Sequence, residues 1–209
     1  MRLLAAYHIP VVETLLAHSP DEAADIAARF NRPVALKIIT PDALTQSKVG
    51  GIARHLHTPE AVRDTATMMM MRLHCVAPPP PFRGFALQPM VARDGAYEIT
   101  MGARASEHFG PVLYFGQGGT DADVIESLAY GLPPCNMHLA REIMVQTQIY
   151  QRLRYNLMRR ANLNALALTL VKVSQMVIDL AELVELAINP LRVNARGVVA
   201  LSAQVQLAS

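Results

Sequence analysis

A lysine lies in the middle of an otherwise apolar run, Val34-Ala35-Leu36-Lys37-Ile38-Ile39. An ammonium group buried there without a partner costs free energy, so Lys37 needs an anion beside it or a path to water. Phosphate is one such anion; a lysine at a sheet edge is the other reading. Further on, Ser47-Lys48-Val49-Gly50-Gly51 offers a hydroxyl, a cation and backbone amides that paired glycines let approach phosphate oxygens closely. The GxxxxGK[ST] phosphate loop is absent, and a Gly-Gly hairpin turn would look the same. Glu98 is a lone carboxylate between Tyr97 and Ile99, where it must face solvent or a partner. Asn189, in Ile188-Asn189-Pro190-Leu191, can ligate magnesium through its amide oxygen, and an Asn before Pro also suits a turn.

Other groups point to less. His55 and His57 would share one strand face, but no third ligand stands nearby and no HExxH spacing occurs. Arg152, Arg154, Arg159 and Arg160 form either an anion patch or a solvated helix face. Cys75 and Cys135 lack CxxC or Cys/His spacing and read as buried, reduced thiols, which sets the expected compartment as cytoplasmic. With 19 basic and 17 acidic residues the net charge of +2 argues against nucleic-acid binding and electrostatic membrane adhesion. The N-terminus lacks the apolar core and cleavage site of a signal peptide. The most hydrophobic stretch, 161–191, is interrupted by Lys172, Asp179, Glu182 and Glu185, so no membrane span is expected.

The elements that must position these groups are legible from their punctuation. The chain opens inside a helix, Met1 to Tyr7, with an apolar face and no cap upstream, which suggests a piece of a longer chain. Ser19-Pro20-Asp21-Glu22 is a helix start with Ser19 as N-cap, Pro20 at the first position and Glu22 completing a capping box. That helix ends near Phe30, and the Lys37 strand follows. Ala53 to His57 reads as a short strand, and Thr58-Pro59-Glu60 opens a helix whose Met68 to Met71 run is core filler. Four consecutive prolines before Phe82 form a polyproline connector. We place the boundary between two lobes there, at 1–80 and 81–209.

Beyond it, Phe85 to Val91, Tyr97 to Ala103 and Pro111 to Phe115 read as strands, with Asp94-Gly95 as a tight turn between the first two. Gly116 to Gly119 is a glycine-rich turn, and Asn136 caps a helix running through Gln151. A helix spans Leu163 to Leu180, and strands at Leu186 to Ile188 and Val198 to Leu201 close the chain. Interleaved helices and strands make the class α/β or α+β.

Taken in order, several strings in this chain resemble the ATP-grasp domain of nucleotide-forming acyl-CoA synthetases. They are Leu3 to Val12, Pro33 to Ile38, Pro41-Asp42, Ser47-x-Val49-Gly50-Gly51 and Gln88-Pro89-Met90. Phe109 to Val112, Phe115-Gly116-x-Gly118-Gly119, Leu132-Pro133-Pro134-x-Asn136 and Ile188 to Leu191 continue the series. The stretch Leu132 to Arg141 is similar to bacterial protein lysine acetyltransferases, in which a synthetase-like region is fused to an acetyltransferase domain.

The resemblance implies a two-lobe ATP-grasp fold holding ATP between antiparallel sheets, with a CoA-binding synthetase domain or an acetyltransferase domain as partner. By the same resemblance Lys37 contacts the nucleotide phosphates, Ser47, Val49, Gly50 and Gly51 belong to the loop closing over them, and Gln88, Pro89, Met90 and Val91 form the strand beside the adenine. Glu98 becomes an acidic position near the nucleotide and Asn189 a magnesium ligand. Active members interconvert acid, CoA and ATP with acyl-CoA, ADP and phosphate through a phosphorylated histidine. This chain departs from them. It has Thr45-Gln46-Ser47-Lys48 where they read His-Lys-Ser-Asp, Ala187 in place of an aspartate, and Ser202 where another aspartate is expected. Magnesium binding is therefore expected to be weak or lost, since that ion favours carboxylate and phosphate oxygens. Two functions remain open: an ATP-binding subunit of an acyl-CoA synthetase, or a degenerate nucleotide-sensing or scaffolding module of a protein acetyltransferase.

Overall fold

A computed structural model describes residues 1–40, 49–91, 95–119, 128–156, 158 and 160–208. The chain forms two compact units: a continuous one, Val12–Ala92, and a discontinuous one, Met1–Val11 with Arg93–Ser209. The mixed helices and antiparallel sheets agree with an ATP-grasp architecture. No helix among the described residues is long and apolar enough to cross a membrane.

The continuous unit holds β1 (Leu15–Ala17), α2 (Pro20–Phe30), β2 (Val34–Ile38), β3 (Ile52–Leu56), α3 (Pro59–His74) and β4 (Phe85–Pro89). Its sheet has the order β1-β4-β2-β3, antiparallel throughout. Both helix starts are fixed by short-range chemistry. Ser19 Oγ accepts the Glu22 N–H at 3.1 Å and Thr58 Oγ1 accepts the Ala61 N–H at 3.1 Å, each satisfying a donor the helix cannot. Glu22 reaches back to the His18 N–H at 2.7 Å rather than to Ser19, so the capping box is closed one residue early. Strand alternation then separates two faces. Val34, Leu36, Ile38, Phe85 and Leu87 are buried with Ile26 of α2 and Val62, Met69 and Leu73 of α3, while Ala35, Lys37, Ala86 and Gln88 turn to the opposite, half-buried face.

The discontinuous unit contains α1 (Arg2–Ala6), β5 (Tyr97–Ser106), β6 (Gly110–Gln117), β7 (Ala129–Gly131), α4 (Met137–Val145), α5 (Gln148–Tyr155), α6 (Leu163–Asp179), β8 (Leu183–Asn194), β9 (Gly197–Ala200) and β10 (Ala203–Leu207). The sheet runs β10-β8-β5-β6-β7, with β9 paired to the C-terminal half of β8. Its core gathers Met101, Leu113, Phe115, Leu186 and Ile188 against Leu166, Leu170 and Val173 of α6 and Leu4 of α1.

Several sequence expectations shift. The strands flanking Asp94-Gly95 lie in different sheets, so they are not a hairpin; Asp94 itself lies outside the described residues. The polyproline stretch does not divide the chain at 80/81: β4 pairs with β1 and β2, which keeps it with the residues before it. The helix after Asn136 is two helices, because Thr147 breaks away to cap the second, its Oγ1 accepting the Tyr150 N–H at 3.4 Å. Strands β1, β7 and β10 were not foreseen.

Leu36 is completely buried between the sheet and its two helices. Leu36→Ala should therefore destabilise the chain by about 2–5 kcal/mol, read from the urea midpoint of unfolding. A cost under about 1 kcal/mol would mean that this face is not close-packed.

Candidate functional site

In the continuous unit the chemistry collects on the sheet face that the helices leave free. Lys37 stands opposite Ile52 on one neighbour and Ala86 on the other. Desolvation by burial holds its ammonium below the ordinary lysine pKa, and no carboxylate among the described residues pairs with it. A half-buried cation gains free energy from an anion placed beside it. Gly51 C=O accepts the Ile38 N–H at 2.8 Å, which fastens the base of the glycine loop beside the lysine strand. Gly50 has φ of +61°, and the Val49 side chain is buried in the core. Ser47 lies outside the described residues, as do Thr45, Gln46 and Lys48.

On β4, Gln88 stands opposite Ala35 and donates from Nε2 to Thr14 Oγ1 at 3.0 Å. Pro89 is buried opposite Val34, the Met90 N–H donates to Pro33 C=O at 2.8 Å, and Val91 follows half-buried. The end of β4 is thus tied to the start of β2.

The discontinuous unit brings Glu98, Gly118, Gly119, Asn189 and Arg192 together. Glu98 and Arg192 are cross-strand partners on β5 and β8. The guanidinium donates from Nη2 at 3.1 Å and from Nε at 3.3 Å to Glu98 Oε1, with side-chain exposures of 8% and 33% for the arginine and the carboxylate. A buried guanidinium in a sheet requires such a partner. Gly118 donates its N–H to Glu98 C=O at 2.9 Å and runs so close to β5 that a Cβ would lie 2.4 Å from the Ile99 carbonyl carbon. Gly119 has φ of +107°, and a Cβ there would lie 2.9 Å from Glu98 Oε2. Both positions therefore need glycine. The Gly119 N–H donates to Asn189 Oδ1 at 3.1 Å, so the asparagine tethers the glycine turn to β8.

This arrangement presents hydrogen-bond acceptors. Among the described residues no three His, Cys, Asp or Glu side chains cluster. The carboxylate beside the glycine turn is already neutralised by Arg192, and Asn189 Oδ1 already holds an amide. Asp121, Asp123 and Glu126 lie outside the described residues. His55, with φ of +60°, interrupts the alternation that would have placed it on a face with His57. Of the arginines, Arg152 reaches Gln117 Oε1 at 3.4 Å and Arg154 lies over the Tyr155 ring at 5.5 Å, which is ordinary surface packing.

Sequence reasoning passed over Arg192. The available signal was a charged residue framed by Leu191 and Val193, the same pattern that singled out Lys37 and Glu98. Two isolated charges of opposite sign in apolar strands are candidates for each other.

Residues 1–207 match the profile of the ATP-grasp domain family. The acetate–CoA ligase (ADP-forming) I of Archaeoglobus fulgidus is 31% identical over 93% of this chain, which spans 28% of that protein. The beta subunit of the corresponding Pyrococcus furiosus enzyme is 26% identical, with 98% of this chain and 88% of the subunit covered. A dinucleotide-forming acetyl-coenzyme A synthetase 1 from Ca. Korarchaeum cryptofilum, solved with coenzyme A, Ca-AMPCP and HgCl+, shares the fold. It has a TM-score of 0.89 at 24% identity and covers 99% of this chain and 90% of its own.

Two outcomes follow from the charged groups. Lys37 titrates below its ordinary 10.5 in the folded chain, so the unfolded chain holds that proton more tightly. The burden on folding is complete below the folded pKa and fades as pH rises towards 10.5. Lys37→Met should therefore melt above wild type at pH 7, with the gap narrowing as pH rises. A wild-type chain that melts higher at pH 7 would mean an anion of the fold already pairs with the lysine. Glu98→Ala should cost about 2 kcal/mol by leaving a charge-assisted pair half-made, and Arg192→Met in that background should recover part of it. Additive costs in the double-mutant cycle would deny the coupling.

Proposed function

Since the chain belongs to the ATP-grasp domain family, we propose that it binds ATP through Lys37 and the Val49-Gly50-Gly51 loop, as the nucleotide-binding module of an ADP-forming acyl-CoA synthetase. The observation that carries this reading is Lys37: a desolvated ammonium on a half-buried sheet face, paired with no carboxylate among the described residues, beside the base of a glycine loop. An anionic phosphate is the ligand that makes such a lysine favourable, because it turns a desolvation cost into a charge-assisted contact. Gln88 to Val91 are assigned to the adenine, and Glu98 and Asn189 to the polar acceptors near the nucleotide. The reaction assigned to the whole assembly joins acid, CoA and ATP into acyl-CoA, ADP and phosphate. The chain matches nearly all of a separate beta subunit but about a quarter of a single-chain ligase. That relation supports a CoA-binding partner supplied by another chain or another part of the same one.

A second reading is favoured by the substitutions themselves. Thr45 cannot carry a phosphohistidine, and Ala187 and Ser202 remove carboxylates. Magnesium is then held weakly if at all, and the module senses nucleotide or serves as a scaffold within a protein lysine acetyltransferase. Its nucleotide contacts are the same; its chemistry is absent.

Calorimetric titration of the chain with ATP, with and without magnesium, tests the shared part. ATP should bind, and Lys37→Ala should weaken binding by about tenfold to a hundredfold, the range of one charge-assisted contact. No binding at millimolar ATP, or equal affinity in the variant, would overturn it. Phosphate release from acetate, CoA and Mg-ATP after adding a CoA-binding partner, above a Lys37→Ala control, decides for the synthetase; its absence decides for the non-catalytic module.

A further inference from the structure

Every open sheet edge exposes backbone donors and acceptors to a possible pairing strand, and folds usually blunt such edges with charge, proline, shortness or a bulge. Three edges of this chain are blunted. β1 and β7 are three residues long, and β7 is soon followed by Pro133-Pro134. β3 carries Arg54 and a register irregularity against β2. β10 is different. It is five residues long, Ala203-Gln204-Val205-Gln206-Leu207, with no charge and no proline, and Val205 and Leu207 are 44% and 53% exposed.

The direction of its free groups follows from its bonds to β8. Ser202 C=O accepts the Asn189 N–H, and the Ala208 N–H donates to Glu182 C=O. Residues of that parity face β8, so the N–H and C=O groups of Ala203, Val205 and Leu207 point away from the sheet. None of these has a partner among the described residues.

We propose that β10 pairs antiparallel with β10 of a second copy, across a two-fold axis at Val205. The choice of a second copy rests on self-complementarity. Reversed about Val205, the segment repeats its own pattern. Val205 meets its counterpart, Ala203 meets Leu207 on the apolar face, and Gln204 meets Gln206 on the polar one. A small side chain faces a large one, amides face amides, and no like charges oppose. Centring on Val205 pairs all five residues of the strand, and a slip of one residue would set apolar side chains against glutamines. The sheets of the two discontinuous units become one continuous sheet. This pairing does not depend on the nucleotide assignment.

Sedimentation over a range of concentrations tests it on the full chain. We expect monomer near about 1 μM and dimer above about 100 μM, since a single-strand interface lies at the weak end of the size range. Val205→Lys places two ammonium groups opposite each other on the axis and should leave monomer throughout, with ATP affinity unchanged. A wild-type chain that stays monomeric, or a dimer that survives in Val205→Lys, overturns the proposal. Register is read independently by oxidation in a Cys75→Ser background, which removes the exposed thiol. Val205→Cys should cross-link, because opposed residues of a bonded pair sit about 5.5 Å apart, within disulfide reach. Leu207→Cys should not, because its copies would be separated by about 14 Å. Equal cross-linking at both positions also overturns it.

Discussion

β8 pairs with three strands at once, and its register fixes where the functional groups of its unit can stand. Its length along β5 sets Glu98 opposite Arg192 and Met101 opposite Ile188, with an irregularity between them that makes room for Asn189. Its first half carries β10 and its second half β9. Because side chains alternate along a strand, shifting β8 by one residue would send Arg192 to the apolar side and expose Leu191 and Val193. The ion pair and the hydrophobic face therefore enforce the same register. That agreement leaves the glycine turn one place to go: over β5, with one amide on the Glu98 carbonyl and the next on Asn189.

The two units use opposite electrostatic arrangements. In the discontinuous unit the buried cation is already satisfied, and what remains outward is an acceptor surface with its charge cancelled. In the continuous unit the Lys37 cation is desolvated and pairs with no carboxylate among the described residues.

Sequence reading located elements best where local chemistry decides them. Ser19, Thr58 and Asn136 marked helix starts because an N-cap is a property of four or five adjacent residues. The lobe boundary was misplaced for the opposite reason: a run of prolines is local, whereas membership in a sheet depends on partners such as Leu15 and Leu36 that lie far along the chain. β10 escaped notice because Gln and Ala have little strand preference, and only its pairing with Leu186 and Ile188 makes it a strand. Glu98 and Asn189 were legible as unusual residues, but their bonds to Arg192 and Gly119 span 94 and 70 positions, beyond the reach of spacing.

The interleaving of the two units orders events during synthesis. Residues of the continuous unit emerge together, and every strand of that sheet is available once β4 has left the ribosome. The discontinuous unit must wait. α1 and the chain to Val11 are translated before the continuous unit, yet Val11 bridges Ala200 and Pro10 C=O accepts the Ala200 N–H. Leu4 and Ile9, both buried in the finished core, therefore lack the far strands of that core until β9 has been made. This apolar segment waits longest for its shelter, which makes it the part of the discontinuous unit most open to mispairing during synthesis.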